Sequence, residues 1–110
     1  METHYSTDDL QMRLGTVTVV EALGAPYYLS GHIPGALNIP PHRTSELVAT
    51  LLPDKDAAIV VYGAHRLSQE ADTVARQLRT LGYRNVFVHS DGKEGWVRAG
   101  LALVDGDERD

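Results

Sequence analysis

Cysteine is absent from this 110-residue chain. That removes disulfides, thiolate metal sites, iron–sulfur ligation and every mechanism with a cysteine nucleophile. Long apolar runs are missing too: none approaches the ~18 to 20 residues needed to cross a bilayer, so no membrane partner is expected. Met1-Glu2-Thr3-His4-Tyr5-Ser6 is polar and holds no apolar h-region, so no secretory signal is read there and a cytoplasmic domain is the default expectation. Excess positive charge is the third omission. The formal net charge is −5, carried by Glu2, Asp8 and Asp9 near one end and Asp105, Asp107, Glu108 and Asp110 near the other. The stretch between is nearly neutral and offers no basic stripe, so no nucleic-acid partner is expected. The acidic ends read as solubilising termini.

What remains is a composition of 43% hydrophobic and 23% charged residues, typical of a soluble globular protein. The length suits one domain, able to bury roughly two-thirds of its unfolded surface. No repeat, low-complexity tract or linker divides it. We expect a single domain over 1–110, with an ordered body over about 7–104 and polar or acidic termini at 1–6 and 105–110.

Along the chain, Thr7-Asp8-Asp9 ahead of Leu10 reads as a capped helix start, and Gly15 closes that helix. Val17-Thr18-Val19-Val20 is a β-branched strand. Ala25-Pro26-Tyr27-Tyr28-Leu29 has Pro where a helix begins and predicts a turn or two, ended by Gly31. Ile33-Pro34-Gly35 is a turn, Ala36 to Ile39 a short strand, and Thr44-Ser45-Glu46 opens a helix with Leu47, Val48 and Leu51 inward. Ala57-Ala58-Ile59-Val60-Val61-Tyr62 is a continuous apolar run, the mark of a central strand covered on both faces. After a loop from Gly63 to Ser68, Ala71, Val74, Ala75, Leu78 and Leu81 trace one face of a helix that Gly82 ends. Asn85 to His89 is the next strand, Ser90-Asp91-Gly92 a turn, and Lys93 to Arg98 a short helix. Strands alternating with helices predict an α/β fold: a central, mainly parallel sheet with helices on both faces.

Four segments, in order, resemble the motifs of rhodanese-like (sulfurtransferase-fold) domains. They are Gly31-His32-Ile33-Pro34-Gly35-Ala36-Leu37-Asn38-Ile39-Pro40, the strand Ile59-Val60-Val61-Tyr62, the step Leu81-Gly82-Tyr83-Arg84-Asn85-Val86, and Gly92-x-x-x-Trp96 followed by Ala99-Gly100-Leu101. The resemblance runs from about Val17 to Val104. It implies that a catalytic cysteine should head the loop after the central strand. Gly63 stands there instead, in Gly63-Ala64-His65-Arg66-Leu67-Ser68. The family's early Asp-Val-Arg becomes Glu21-Ala22-Leu23, and its Gly-Gly before the last helix becomes Asp91-Gly92. Sulfur transfer by this fold needs a thiolate to carry the persulfide, and a serine alkoxide is too hard and too basic to replace it. No catalytic residue is therefore assigned, and fold resemblance does not carry activity with it.

A loop between a parallel strand and a helix N-terminus retains some chemistry without its nucleophile, because free amides and the helix dipole favour an anion. The residues Gly63, Ala64, His65, Arg66, Leu67 and Ser68 are the candidate anion-binding loop. Arg66 would give a charge-assisted contact, and Ser68 would cap the helix or touch the ligand. Glu21, His32 and Asp91 are candidate neighbours, Glu21 holding the loop backbone or Arg66 and His32 bracing its own turn. His65 is the candidate general base of a rival enzyme of non-sulfur chemistry, together with Arg66 and Asp91. His32, His65, His89, Asp91 and Glu21 should converge near the sheet's C-terminal edge, yet none has ligand spacing, so neither a metal nor another cofactor is expected. Trp96, Leu101 and Leu103 read as core, and Tyr27 and Tyr28 as divided between surface and core. A small oxyanion and a protein are the candidate partners of a binding or regulatory module; a loop-altered relative of an active thiosulfate sulfurtransferase is the further alternative.

Overall fold

The computed structural model describes residues 4–106. The acidic positions Glu2, Asp107, Glu108 and Asp110 lie outside them. In chain order the elements are α1 (Thr7–Arg13), β1 (Thr18–Glu21), α2 (Ala25–Ser30), β2 (Leu37–Asn38), a 3-10 turn (Pro41–Arg43), α3 (Thr44–Leu51), β3 (Ile59–Tyr62), α4 (Glu70–Thr80), β4 (Val86–His89) and α5 (Gly92–Arg98). The four strands form one sheet in the order β2-β1-β3-β4, with every pairing parallel. This is the α/β architecture expected from alternating elements.

Side chains alternate across the sheet and define two layers of core. Val20, Ile59, Val61 and Val88 face α3 and α4, where Val48, Val74, Ala75 and Leu78 complete the packing. Val19, Val60 and Tyr62 face the opposite side and meet Leu10 of α1, Tyr28 of α2 and Trp96 of α5. All four residues of β3 are buried, which explains its unbroken apolar run. Leu101 and Leu103 pack against the second layer. Tyr28 is buried and Tyr27 exposed. The turn into β2 needs its glycine: Ala36 N–H donates to Ile33 O at 3.0 Å, and Gly35 has φ +85, behind a Pro that fixes the preceding φ.

The body starts earlier than the expected Thr7. Tyr5 N–H donates to Val88 O at 2.9 Å, and His4 forms a parallel bridge to Val88. Ser6, rather than Thr7, caps α1: its Oγ accepts from Asp9 N–H at 3.0 Å, and Asp9 Oδ2 accepts from Ser6 N–H at 3.4 Å. The physical reason is the open edge of β4, whose unpaired backbone groups are partly covered by this segment. At the other end, His32 and Val104 exchange backbone bonds of 2.8 and 2.9 Å.

Candidate functional site

Because the strands are parallel, their C-terminal ends and the loops that follow share one edge of the sheet, where open α/β folds collect ligands. Three paired positions end the strands there: Glu21 beside Tyr62, and Tyr62 beside His89. Glu21 is fully buried. Its Oε1 accepts from Tyr62 Oη–H at 2.6 Å, and its Oε2 lies 3.1 Å from Lys93 Nζ. Lys93 also donates to Tyr27 O at 2.9 Å, and Tyr62 Oη accepts from Ile33 N–H at 3.0 Å. Burial pushes the Glu21 carboxyl above its ordinary range, against the opposing pull of Tyr62, Lys93 and His32. The same burial, with Glu21 adjacent, drives the Tyr62 hydroxyl upward.

Gly63 leaves β3 directly into the loop, so the head of the loop carries no side chain. Two main-chain bonds hold the loop to α5: Lys93 N–H to Gly63 O at 2.9 Å and Glu94 N–H to Ala64 O at 2.8 Å. Gly92 makes that approach feasible. A Cβ there would fall 2.7 Å from Gly63 O and 2.9 Å from His65 N, at φ +68. Within the loop, Ser68 N–H donates to His65 O at 3.0 Å, His65 N–H to Ser68 Oγ at 3.2 Å and Leu67 N–H to His65 Nδ1 at 3.2 Å. The amides of Ala64, Arg66 and Gln69 donate to no protein group among the described residues.

Several expectations change accordingly. Ser68 does not cap α4; Gln69 occupies that position without a side-chain bond, because the Ser68 hydroxyl is already engaged by His65 N–H. Glu21 holds neither the loop backbone nor Arg66: its oxygens turn inward to Tyr62 and Lys93. Arg66 instead faces Asp91, with Nη1 3.7 Å from Oδ1. His65 Nδ1 accepts from Leu67 N–H inside the loop. His32 braces its turn as expected, donating from Nδ1 to Tyr28 O at 2.9 Å and stacking on the Tyr28 ring. His89 donates from Nδ1 to Tyr5 O at 3.0 Å, and its buried Nε2 has no hydrogen-bond partner. The expected convergence of Glu21, His32, His65, His89 and Asp91 gives way to separate partners, and among the described residues no group of three His, Asp or Glu could hold a metal.

One open space of about 460 Å³ lies away from the loop, between Pro41, Thr44 and Arg76; another lies beside it. A cleft of about 400 Å³ is lined by His4, Tyr5, Ser6, Asp9, Arg66, Ser90 and Asp91, within the size range of small-molecule sites. Of these, sequence reasoning singled out Arg66 and Asp91 as site residues; Tyr62, Lys93 and the N-terminal residues were missed. The signal for Tyr62 was present, since a hydroxyl ending a fully buried strand must find a partner. Among the described residues no helix is long and apolar enough to cross a membrane.

A four-stranded parallel sheet, with a short loop after its central strand packed on the last helix, defines a sulfurtransferase-type fold. The profile of the rhodanese-like domain matches residues 6–99, and the chain belongs to that family. It is 36% identical over 92 residues to an HTH-type transcriptional regulator of Mycobacterium tuberculosis. That match covers 84% of this chain, which spans 39% of the regulator's length. Among solved structures, the BH2092 protein of Bacillus halodurans superposes with a TM-score of 0.87 at 22% identity, covering 94% of this chain and 77% of its own. A structure of rhodanese with anions from E. coli superposes at 0.67 and 25% identity, covering 81% of this chain and 98% of its own.

Proposed function

We propose that this domain is a binding or regulatory module that performs no sulfur transfer and uses its Gly63–Ser68 loop and Arg66 to hold a small oxyanion. One observation carries the reading: the loop between β3 and α4 keeps its place and holds no cysteine, with Gly63 at the head position that the family resemblance gives to the nucleophile. A persulfide carrier needs a thiolate, and the chain has no cysteine. The amides of Ala64, Arg66 and Gln69 remain available to an anion at the positive end of α4. Two relatives lend support. One is named as a transcriptional regulator, and the E. coli rhodanese is described with anions.

Two measurements test this. Purified protein should produce no thiocyanate from thiosulfate and cyanide above a no-enzyme control, and turnover in a preparation free of contaminating sulfurtransferase overturns the first half. Sulfate titrated into labelled protein should move amide resonances in residues 63–69, with millimolar affinity, on the order of −4 kcal/mol. The shifts should shrink in Arg66→Ala. Scattered shifts, or none, overturn the second half.

A further inference from the structure

The cleft beside the loop carries charge of both signs. Arg66 supplies the cation, Asp91 stands on the turn between β4 and α5, and Asp9 projects from the first turn of α1. The Arg66–Asp91 separation of 3.7 Å is longer than a hydrogen bond. The guanidinium is therefore partly neutralised while its donors stay open to a ligand. Asp9 accepts through Oδ2 from Ser6 N–H, and among the described residues no Lys or Arg pairs with it. A bare oxyanion on Arg66 meets the Asp91 carboxylate beside it and a second carboxylate in the same cleft. A bare cation on Asp91 meets Arg66. Only a ligand with both signs is matched throughout.

We propose that this cleft takes a small zwitterion: an anionic oxo group joined by a short spacer to an ammonium group. The anion sits on Arg66 and the ammonium at Asp91 and Asp9. The inference rests on the oxyanion reading and names the class of ligand that reading leaves open. The hydroxyls of Ser6 and Ser90 add polar partners that accept from the ammonium or donate to the anion. The His4 ring braces this wall through a 2.9 Å bond between its Nδ1 and Ser90 Oγ.

Taurine and ethanesulfonate carry the same sulfonate and differ in the ammonium, so they separate the two contributions. Each is titrated into labelled protein, with amide shifts followed at Ser6, Asp9, Arg66, Ser90 and Asp91. Taurine should bind about three- to fivefold more tightly than ethanesulfonate, the scale expected of an exposed charge pair. Asp91→Asn should narrow or reverse that preference by strengthening ethanesulfonate and weakening taurine. Arg66→Gln should weaken both. Asp91 is part-exposed and makes no cap bond, and an unchanged resonance pattern elsewhere confirms that each variant is folded. If ethanesulfonate moves the loop and taurine binds no better, the zwitterion inference fails while the oxyanion reading stands. If neither sulfonate nor sulfate moves Arg66, both fail.

Discussion

Replacing Lys93 by Met removes the cation from an ion pair whose other member, Glu21, is fully buried. Breaking a fully buried pair from one side costs about 3–5 kcal/mol, chiefly because a charge is left without compensation. Here the Lys93 side chain is 18% exposed, so water already screens part of the interaction, and Tyr62 still donates to Glu21. The expected cost near neutral pH is therefore about 2–3 kcal/mol. The pH dependence is more diagnostic than the size. Burial raises the Glu21 carboxyl above its ordinary value, so the native state holds its proton more tightly than the unfolded chain does. Stability from this group is fully present below about 4.5 and is lost as pH rises through the folded value. Removing Lys93 raises the carboxyl further and widens that window upward. The deficit of Lys93→Met should accordingly be small near pH 4, where a protonated Glu21 needs no counter-ion, and should grow as pH rises toward neutral and above. Urea unfolding followed by the fluorescence of Trp96, a single and buried tryptophan, measures both ends. An equal deficit at the two pH values, or a larger one in acid, refutes the account.

Gly92→Ala should destabilise the domain by about 3 kcal/mol, since the new Cβ clashes with the backbone of Gly63 to His65 and φ +68 strains any side chain; a midpoint of thermal unfolding within a degree of wild type contradicts this. Tyr62→Phe strips a donor from Glu21 and the acceptor of Ile33 N–H, at a cost of about 2–3 kcal/mol by denaturant titration. Gly63→Cys should fold, because its nearest Cβ contact is the Ser68 Cβ at 3.3 Å and a few tenths of an ångström of give suffices. Its thiol should titrate below the ordinary value of about 8.5, favoured by the α4 N-terminus. Alkylation rates that rise only above that pH rule out such stabilisation.

Much of this was readable in the sequence because local pattern and burial agree. The uninterrupted Ile59-Val60-Val61-Tyr62 run has to be a strand covered on both faces. The apolar positions from Ala71 to Leu78 have to lie along one face of a helix. Asn38, one member of the family-like segment, ties the turn after β1 with bonds to Leu23 O at 2.7 Å and Glu21 O at 3.3 Å. What pattern does not encode is partner choice across the sheet. Lys93 finds Glu21 across 72 residues of chain, and nothing in either neighbourhood says so. Arg66 and Asp91 were both visible as loop residues, but their pairing follows from the β3–β4 register. The N-terminal segment was misread because its role depends on a neighbouring strand edge, and its own polar composition carries no such signal.

The same division explains how this loop tolerates glycine at its head. The contacts that hold it are main-chain bonds, from Lys93 N–H to Gly63 O and from Glu94 N–H to Ala64 O, and such bonds are indifferent to the side chain at position 63. Its inner lining is supplied by the absence of a side chain at Gly92. Within the loop, His65 and Ser68 engage one another. None of these interactions requires a thiol, so chemistry and architecture are separable at this site. On the proposed reading, glycine at position 63 costs the loop a nucleophile and leaves the neighbouring charges to decide what it binds. Asp91, standing where the family pattern has a second glycine, is the residue that most changes that answer. It places a carboxylate 3.7 Å from the Arg66 guanidinium, and on the reading proposed above a ligand there would be sorted by the charge on the rest of its structure.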